Sequence, residues 1–266
     1  MVVGGYGAFL AFGLPHLPNE SLGQVHIYLS FLAVMAALIS FISASTAPPG
    51  VLNPKTLKYF DNYAYDNALY FPDRECTTCS TIKLARSKHC SVCNVCIPRF
   101  DHHCVWLNSC IGEGNYLAFF RFLLANVLLC AYGSYVLFFI LYGEYVELVG
   151  EEFVHESTNT VIESNTRVVV QYLIHSEATI TVLFLMCSVM GSALFCFFVF
   201  HCYLVAINTT TNEFFKRRSL AKKKKTRQTH LYSLKSASAN FLELWRPRYI
   251  AKLREIAAER RHIKIN

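Results

Sequence analysis

The sequence predicts an all-α polytopic membrane protein. It would have four transmembrane helices, the first one short, and a cytosolic cysteine-rich domain that binds two zinc ions. Of the 266 residues, 53% are hydrophobic and only 16% are charged, whereas soluble globular chains usually carry about 25% charged residues. The apolar residues concentrate in long uncharged runs, and seven of the eleven cysteines lie between Cys76 and Cys110. These three observations define the fold class.

Three apolar runs are long enough to cross a membrane, because a spanning helix needs about 20 apolar residues. They are Val25–Ser43, Leu117–Tyr142 (interrupted only by Arg121) and Ala178–Ile207. A fourth run, Val2–Leu14, is apolar, but a helix of that length reaches only about 20 Å. We therefore expect that Met1 is not the natural boundary of the first span and that upstream residues are missing from this chain.

The distribution of charge predicts the orientation. The loop 143–177 holds seven Glu and one Arg, whereas the tail from Lys216 holds sixteen Lys and Arg against three Glu. The positive-inside rule places the tail in the cytosol and the acidic loop in the lumen, and counting spans back places 44–116 in the cytosol. The expected organisation is 1–43 (two helices and a short lumenal loop), 44–116 (cysteine-rich zinc domain), 117–207 (two helices and the acidic loop) and 208–266 (cytosolic basic tail).

The basic run at the start of this tail is expected to contact anionic lipid of the cytoplasmic leaflet. It comprises Arg217, Arg218, Lys222–Lys225 and Arg227. No nucleic-acid partner is expected.

The cysteine cluster predicts two zinc sites. It contains the pairs Cys76-x2-Cys79 and Cys90-x2-Cys93, followed by Cys96, Cys104 and Cys110, and its histidines are His89, His102 and His103. Cytosolic thiols stay reduced, and a Cys-x2-Cys turn directs two thiolates to one metal. Zinc takes four such ligands in a tetrahedron. Two sites need eight ligands and the cluster offers ten, so two groups are left over.

The leftover groups lie in Asp101-His102-His103-Cys104. A thiol, an imidazole and a carboxylate beside a structural metal indicate nucleophilic catalysis, in which His accepts the proton of Cys and Asp orients the imidazole. Other interpretations remain at this point. The groups can form a third, open zinc site, or the chain can be a zinc-binding adaptor, a membrane-bound zinc-finger ubiquitin ligase or a non-catalytic scaffold.

The tetrapeptide Asp101–Cys104, within a cysteine-rich domain between two spans, resembles the DHHC family of protein S-acyltransferases. Further segments carry the same resemblance: Ala85–Cys90, Cys104–Trp106, Cys110–Gly112, Gly114–Tyr116, Thr210–Glu213 and, loosely, Tyr232 with Asn240-Phe241. The pattern is nearest to the endoplasmic-reticulum branch that modifies SNARE-type substrates. Pro48-Pro49-Gly50 departs from the family's Asp-Pro-Gly, and Ser109 stands where a second Asn is common.

The resemblance implies a role for each site residue. One zinc would be held by Cys76, Cys79, His89 and Cys96, and the other by Cys90, Cys93, His103 and Cys110. Cys104, His102 and Asp101 would be catalytic, moving a palmitoyl group from palmitoyl-CoA to cysteines of membrane-associated proteins. Trp106, Phe119 and Phe122 would line the acyl-chain cavity, Lys83, Arg86 and Lys88 would bind CoA phosphates, and Thr210, Thr211 and Asn240 would be structural ties. The expected location is the endoplasmic-reticulum membrane, with the Golgi as the alternative.

Overall fold

The computed structural model describes residues 2–154, 161–163, 165–224, 232–234 and 236–263. Its helices are α1 Val2–Ala8, α2 Val25–Thr46, α3 Leu57–Phe60, α4 Tyr116–Leu148, α5 Thr166–Ser176, α6 Ala178–Ala206, α7 Thr211–Lys224, α8 Ala237–Trp245 and α9 Arg248–Ile263. Its strands are β1 Glu75–Cys76, β2 Thr81–Ile82, β3 Lys88–Cys90, β4 Val95–Ile97, β5 His102–Cys104, β6 Ser109–Ile111, β7 Glu152–Val154 and β8 Val161–Glu163. Glu156 of the predicted acidic loop, and Lys225 and Arg227 of the predicted lipid-binding run, lie outside the described residues.

Three of the described helices, α2, α4 and α6, are long and apolar enough to cross a membrane. They coincide with the three long runs predicted from sequence, although α4 continues six residues beyond the predicted end at Tyr142. By length and composition the chain is an integral membrane protein. The segment before α2 is also helical, with a π-helical turn at Phe9–Gly13 after α1, but it is too short to count as a span.

Residues 1–40 and 123–197 form a first compact unit. Within it, α4 and α6 approach closely at two reciprocal glycine–cysteine contacts. A Cβ atom added at Gly191 would lie 2.9 Å from the Cβ atom of Cys130, and one added at Gly133 would lie 3.2 Å from the Sγ atom of Cys187. Small residues let membrane helices pack this closely. Cys130 and Cys187 therefore act here as packing residues.

Residues 41–122 and 198–266 form a second compact unit. It combines the cysteine-rich segment with the tail, which are expected from the sequence to be separate domains. The loop after α2 belongs to this unit, and Gly114 donates its backbone N–H to the Pro49 carbonyl at 3.1 Å. A Cβ atom at Gly114 would collide with the Pro48 carbonyl oxygen. Glycine is thus required where this loop meets the segment that leads into α4.

The expectation of an all-α fold is wrong in detail, because the cysteine-rich segment contains three short antiparallel hairpins: β1–β2, β3–β4 and β5–β6. Each turn contains a residue with left-handed backbone: Ser80 (φ 47°), Asn94 (φ 55°) and Asn108 (φ 47°). Asn tolerates this conformation better than most non-glycine residues. Strands of two or three residues are too short to show the alternation by which strands are recognised in sequence.

Candidate active site and metal centres

A 14-residue spacing runs through the three hairpins. Each hairpin has a four-residue tip that begins with a cysteine, and this cysteine recurs at the 14-residue interval. Its partner on the opposite strand recurs at the same interval, and so does the residue with left-handed backbone that follows the tip. The opening cysteines are Cys76, Cys90 and Cys104, and their respective partners are Thr81, Val95 and Ser109. The hairpins are therefore three copies of one backbone unit, a repeat that the sequence analysis does not recognise.

Two clusters of metal-ligand type form between successive hairpins, each with three thiols and one imidazole. They are Cys76, Cys79, His89, Cys96 and Cys90, Cys93, His103, Cys110. These are the two sets that the resemblance implies. Within each cluster the ligand atoms lie within 4.8 Å of one another.

The spacing of these atoms fits zinc. The Sγ–Nδ1 distances are 3.3–3.9 Å in the first cluster and 3.4–3.8 Å in the second. Tetrahedral zinc with ordinary Zn–S and Zn–N bonds separates a sulfur from a nitrogen by about 3.6 Å. Each cluster takes both tip cysteines of one hairpin and a His and a Cys from the strands of the next. The two metals would thereby fix the hairpins to each other.

Asp101, His102 and Cys104 form a hydrogen-bonded chain beside the second cluster. The Asp101 side chain is fully buried, and its Oδ2 atom lies 2.6 Å from Nδ1 of His102. His102 also hydrogen-bonds the Cys104 thiol. Because successive side chains of a strand point to opposite faces, β5 directs His103 to the metal cluster and its neighbour His102 to this chain.

The pKa values in this chain favour a charged pair. Burial lowers the pKa of His102, but the hydrogen bonds to Asp101 and Cys104 outweigh this and raise it to about 9. Burial also raises the pKa of the Cys104 thiol, but the hydrogen bond from His102 and those from the Leu107 and Trp106 amides bring it below its usual value. The resting state favoured by these shifts is a thiolate beside an imidazolium. A thiolate is the nucleophilic form of cysteine.

The tail holds the Asp101 carboxylate from its other side. The backbone N–H of Thr211 donates to Oδ1 of Asp101 at 2.8 Å. Thr210 and Glu213 form a capping box at the start of α7, because the Thr210 N–H donates to Oε2 of Glu213 at 3.0 Å and the Glu213 N–H donates to Oγ1 of Thr210 at 3.2 Å. This reciprocal pair satisfies two backbone donors of the helix start. Thr210 and Thr211 thus position a catalytic candidate through backbone geometry.

Asn240 ties α8 to the end of α6. Its side-chain amide donates to the Ala206 carbonyl at 2.7 Å and to Oγ of Ser233 at 3.0 Å, and its carbonyl accepts the Leu234 N–H at 2.8 Å. The oxygen and nitrogen of this buried side-chain amide therefore both hydrogen-bond to protein groups.

Arg86 corrects the sequence-based assignment to CoA phosphates. Its side chain is completely buried and makes two 2.8 Å bonds to the Glu213 carboxylate and two 3.0 Å bonds to Asn208. The guanidinium also lies over the rings of both Tyr63 and Tyr232, 4.8 and 4.5 Å from their centroids. A group committed in this way cannot reach a solvent-borne phosphate. Arg86 instead joins the hairpins to the tail.

Asn208 and Glu243 belong to the same buried network and were missed by sequence reasoning. Asn208 accepts from Arg99 at 3.0 Å and donates to Oε2 of Glu243 at 2.8 Å. Glu243 also accepts the Tyr63 hydroxyl proton at 3.0 Å. The tail holds only three Glu among sixteen cations. Because a buried cation requires a carboxylate partner, this scarcity is the one sequence feature that pointed to a structural role for Glu243.

Lys83 and Lys88, the other predicted phosphate ligands, are half-buried. The Lys88 ammonium lies 4.8 Å from the Phe100 ring centroid. Burial and the positive charges of Lys88 and Lys83 lower the pKa of Lys216 in α7. Lys216 is therefore close enough to Lys83 and Lys88 to be repelled by their charges, and an anion bound beside Lys216 would relieve this repulsion.

His201 of α6 packs beside the Asp101–His102–Cys104 chain. It is fully buried, and its Nδ1 atom lies 3.0 Å from the Tyr116 hydroxyl. The Phe119 ring makes T-shaped contacts with both His102 and His201, with centroids 5.1 and 5.0 Å away. Phe119 is one of the cavity residues predicted from the sequence, whereas His201 is not among the predicted site residues.

The other predicted cavity residues lie in different surroundings. Trp106 is 74% exposed, whereas Phe122 is half-buried with its centroid 6.0 Å from that of Phe41. An apolar cavity of about 280 Å³ does occur in the first unit, lined by Tyr6, Phe9 and Val34 among others. Trp106, Phe119 and Phe122 are not among its lining residues.

Known proteins resemble this chain across the site. Residues 70–218, more than half of the chain, match the family profile described as DHHC palmitoyltransferase. Palmitoyltransferase SWF1 of Kluyveromyces lactis is 39% identical over 136 residues, covering 50% of this chain and 42% of the relative. Palmitoyltransferase ZDHHC4 of Bos taurus is 33% identical over 199 residues, covering 72% and 56%.

Palmitoyltransferase swf1 of Schizosaccharomyces pombe is 29% identical over 239 residues, covering 87% of this chain and 63% of the relative. The chain thus spans about half the length of the curated relatives that it matches. The profile match includes both metal clusters, the Asp101–Cys104 chain and Thr210–Glu213. The chain belongs to the DHHC palmitoyltransferase family.

Proposed function

We propose that this protein is a protein S-palmitoyltransferase that uses Cys104 as its nucleophile. One observation carries the proposal: Cys104 belongs to neither metal cluster and hydrogen-bonds a histidine that is itself oriented by a buried aspartate. The relatives' names, which call them palmitoyltransferases, support the same activity. A zinc-binding scaffold or ubiquitin ligase has no use for such a chain of residues.

Acyl transfer proceeds in two steps. The Cys104 thiolate attacks the thioester carbonyl of palmitoyl-CoA, the bond from that carbonyl to the CoA sulfur breaks, and His102 gives its Nε2 proton to the departing CoA thiolate. A substrate cysteine then gives its thiol proton to His102, and its sulfur attacks the acyl-enzyme. The bond to Cys104 breaks and the Cys104 thiolate returns. Asp101 keeps the Nδ1 proton of His102 in place throughout, so Nε2 faces the reacting sulfurs.

Two structural zinc ions would be held by the two clusters. Bound there, they supply no chemistry to the acyl group but fix the hairpins that carry His102 and Cys104. His103, adjacent to the proposed base, would belong to the metal and not to the reaction.

The acyl donor is proposed to contact both apolar and basic groups. Its sixteen-carbon chain would cost about 0.8 kcal/mol per methylene to expose to water, and Trp106, Phe119 and Phe122 are the apolar side chains proposed to contact it. Its phosphates would bind Lys83 and Lys88, to which we add Lys216 because the charges of Lys83 and Lys88 repel the Lys216 ammonium.

The membrane setting is proposed from charge and composition. The acidic loop would be lumenal, the site and the tail cytosolic, and the short helical segment before α2 would act as the first of four transmembrane helices. The protein would reside in the endoplasmic reticulum and act on membrane-associated proteins, among them SNARE-type substrates. The similarity to SWF1 supports the choice of branch.

Autoacylation of the purified full chain with labelled palmitoyl-CoA tests the activity. Wild-type protein should form a hydroxylamine-sensitive adduct at Cys104. Cys104→Ser should form none while keeping about two zinc ions per chain, and Cys196→Ser, at an exposed cysteine of α6, should behave as wild type.

His103→Ala should lose about one zinc, whereas His102→Ala should lose none and acylate slowly. Absence of an adduct from zinc-replete wild type, or zinc loss in Cys104→Ser, would refute the proposal.

A further inference from the structure

Cys104 occupies a position that holds a metal ligand in the two preceding hairpins. The first hairpin tip runs from Cys76 to Cys79 and the second from Cys90 to Cys93, and all four cysteines are in the metal clusters. The third tip runs from Cys104 to Leu107 at the same spacing. Its opening residue is again cysteine, but its fourth residue is a buried leucine.

The backbone offers the same two N–H donors to each of the three opening thiols. In each tip the sulfur of the opening cysteine accepts N–H bonds from the third and fourth residues of the tip. These donor pairs are Thr78 and Cys79, Val92 and Cys93, and Trp106 and Leu107. Two amides directed at one sulfur form the cage that a zinc-bound thiolate would occupy in the first two tips. The third tip offers the same cage to Cys104.

The surroundings of Cys104 also favour metal binding. His102 donates Nδ1–H to a buried carboxylate, which is the arrangement by which metal-binding histidines are commonly oriented. His102 also interacts with the Cys104 thiol. Cys104 and His102 thus present two ligands of the type that zinc prefers, and a further thiolate would make three, the number found in catalytic zinc sites. A metal bound to Cys104 would withdraw charge from the sulfur and lower its reactivity toward a thioester.

We propose that the third hairpin is a metal-excluding copy of the zinc-binding tip, and that Leu107 is the residue that keeps Cys104 free of metal. An isobutyl group at the fourth position supplies no ligand and fills the place of the second sulfur. The same backbone geometry can therefore hold two opening cysteines, Cys76 and Cys90, as metal ligands and the third, Cys104, as a reactive thiolate. The functional meaning of this inference rests on the proposed role of Cys104 as nucleophile.

Leu107→Cys tests the inference with metal binding as the readout. The purified full chain, loaded with two zinc ions and kept under reductant, is titrated with Cd²⁺. Leu107→Cys should bind one additional Cd²⁺ per chain, with a thiolate-to-cadmium charge-transfer band. That metal should protect Cys104 from alkylation by iodoacetamide, and a chelator too weak to strip the two zinc sites should remove the protection.

Two matched variants serve as controls. Leu107→Ser removes the leucine without adding a soft ligand, and Leu107→Cys combined with Cys104→Ser removes the opening thiol; neither should bind the additional ion. If Leu107→Cys loses its two zinc ions, Leu107→His offers an imidazole at the same position and is expected to capture Cd²⁺ in the same way.

Two results would overturn the inference. One is capture of the additional Cd²⁺ by wild type as readily as by Leu107→Cys. The other is failure of both Leu107→Cys and Leu107→His to capture it while either retains two zinc ions. Because no acyl donor is used, these results are independent of whether Cys104 forms an acyl-enzyme.

Discussion

Asp101 determines how protons are shared between His102 and Cys104. Its hydrogen bond and charge are the main contributions that raise the pKa of His102 against burial, and a protonated His102 in turn lowers the pKa of Cys104. The thiolate is therefore present above the lowered pKa of Cys104 and is lost as the pH falls through that value.

We predict that Asp101→Asn shifts this profile to higher pH. The pKa of His102 should fall, the pKa of Cys104 should rise, and autoacylation at neutral pH should decrease by about 10²- to 10⁴-fold, the usual contribution of a positioned acid–base group. The pH dependence of Cys104 alkylation by iodoacetamide measures the shift, and a zinc content of about two per chain serves as the control. An unchanged alkylation midpoint in Asp101→Asn would exclude this role.

Glu113 gives a second pH dependence at the scale of one residue. Burial raises its pKa from 4.5 to about 7, against the lowering effect of Arg99 and Arg86. A carboxyl group with a raised folded pKa contributes stability that is present below its unfolded pKa and is lost as the pH rises through about 7.

We therefore predict that Glu113→Gln stabilises the protein most at alkaline pH. Its advantage in unfolding free energy should grow by about 1.4 kcal/mol between pH 6 and pH 8, the equivalent of one pKa unit. Thermal unfolding in detergent, with zinc content followed in parallel, makes the measurement. A pH-independent effect of the substitution would contradict the assigned pKa.

At the scale of helices, α4 and α6 contribute the wall behind His102. His201 and Phe119 can hold the His102 ring only if His201 is itself oriented, and the Tyr116 hydroxyl does this at 3.0 Å. Tyr116→Phe should lower the autoacylation rate by about tenfold, the effect of losing roughly 1.4 kcal/mol at a buried hydrogen bond, while zinc content stays unchanged.

The first unit offers a matched control. There Tyr132 makes a similar bond to Nδ1 of His26, at 3.1 Å. Tyr132→Phe removes a histidine–tyrosine bond of the same type and should retain full activity. Equal losses in Tyr116→Phe and Tyr132→Phe would indicate a general loss of stability and not a specific effect on His102.

Predictability differs among the elements. The three spans could be predicted because length and lack of charge suffice to identify them. The end of α4 could not, because the helix continues after Tyr142 through six residues that include Glu144 and Glu147. The hairpins could not be predicted by periodicity, because their strands have two or three residues. The 14-residue spacing was nevertheless present in the sequence, and with it the relation of Cys104 to Cys76 and Cys90.

Predictability was lowest for buried charge. Spacing alone could not distinguish Arg86 from Lys83 or Lys88, since all three lie on the same basic stretch. Arg86 differs from the two lysines because it pairs with Glu213, which lies 127 residues away along the chain. A long-range ion pair of this kind leaves no local pattern in the sequence. The zinc ligands, in contrast, lie close together along the chain, so their spacing indicated that there are two sites.

At the scale of the whole chain, the pair Arg86–Glu213 connects the hairpins to the tail. Removing one partner leaves an uncompensated buried charge, so Arg86→Met and Glu213→Leu should each lower the unfolding free energy of the second unit by about 3–5 kcal/mol. The double variant should lose less than the sum of the two, because it buries no unpaired charge. Thermal unfolding in detergent completes this double-mutant cycle, and additive losses would show that the two side chains are not coupled.

The bond from Thr211 to Asp101 has a consequence for synthesis on the ribosome. The last metal ligand, Cys110, leaves the ribosome about a hundred residues before Thr211, and chains grow at about 5–20 residues per second. We expect both metal clusters to form during that interval, while the Asp101 carboxylate still lacks its backbone partner and Arg86 its carboxylate. The nascent chain would thus carry metal before its reactive thiol is fully assembled. The site can be completed only after α6 and the start of α7 have been synthesised.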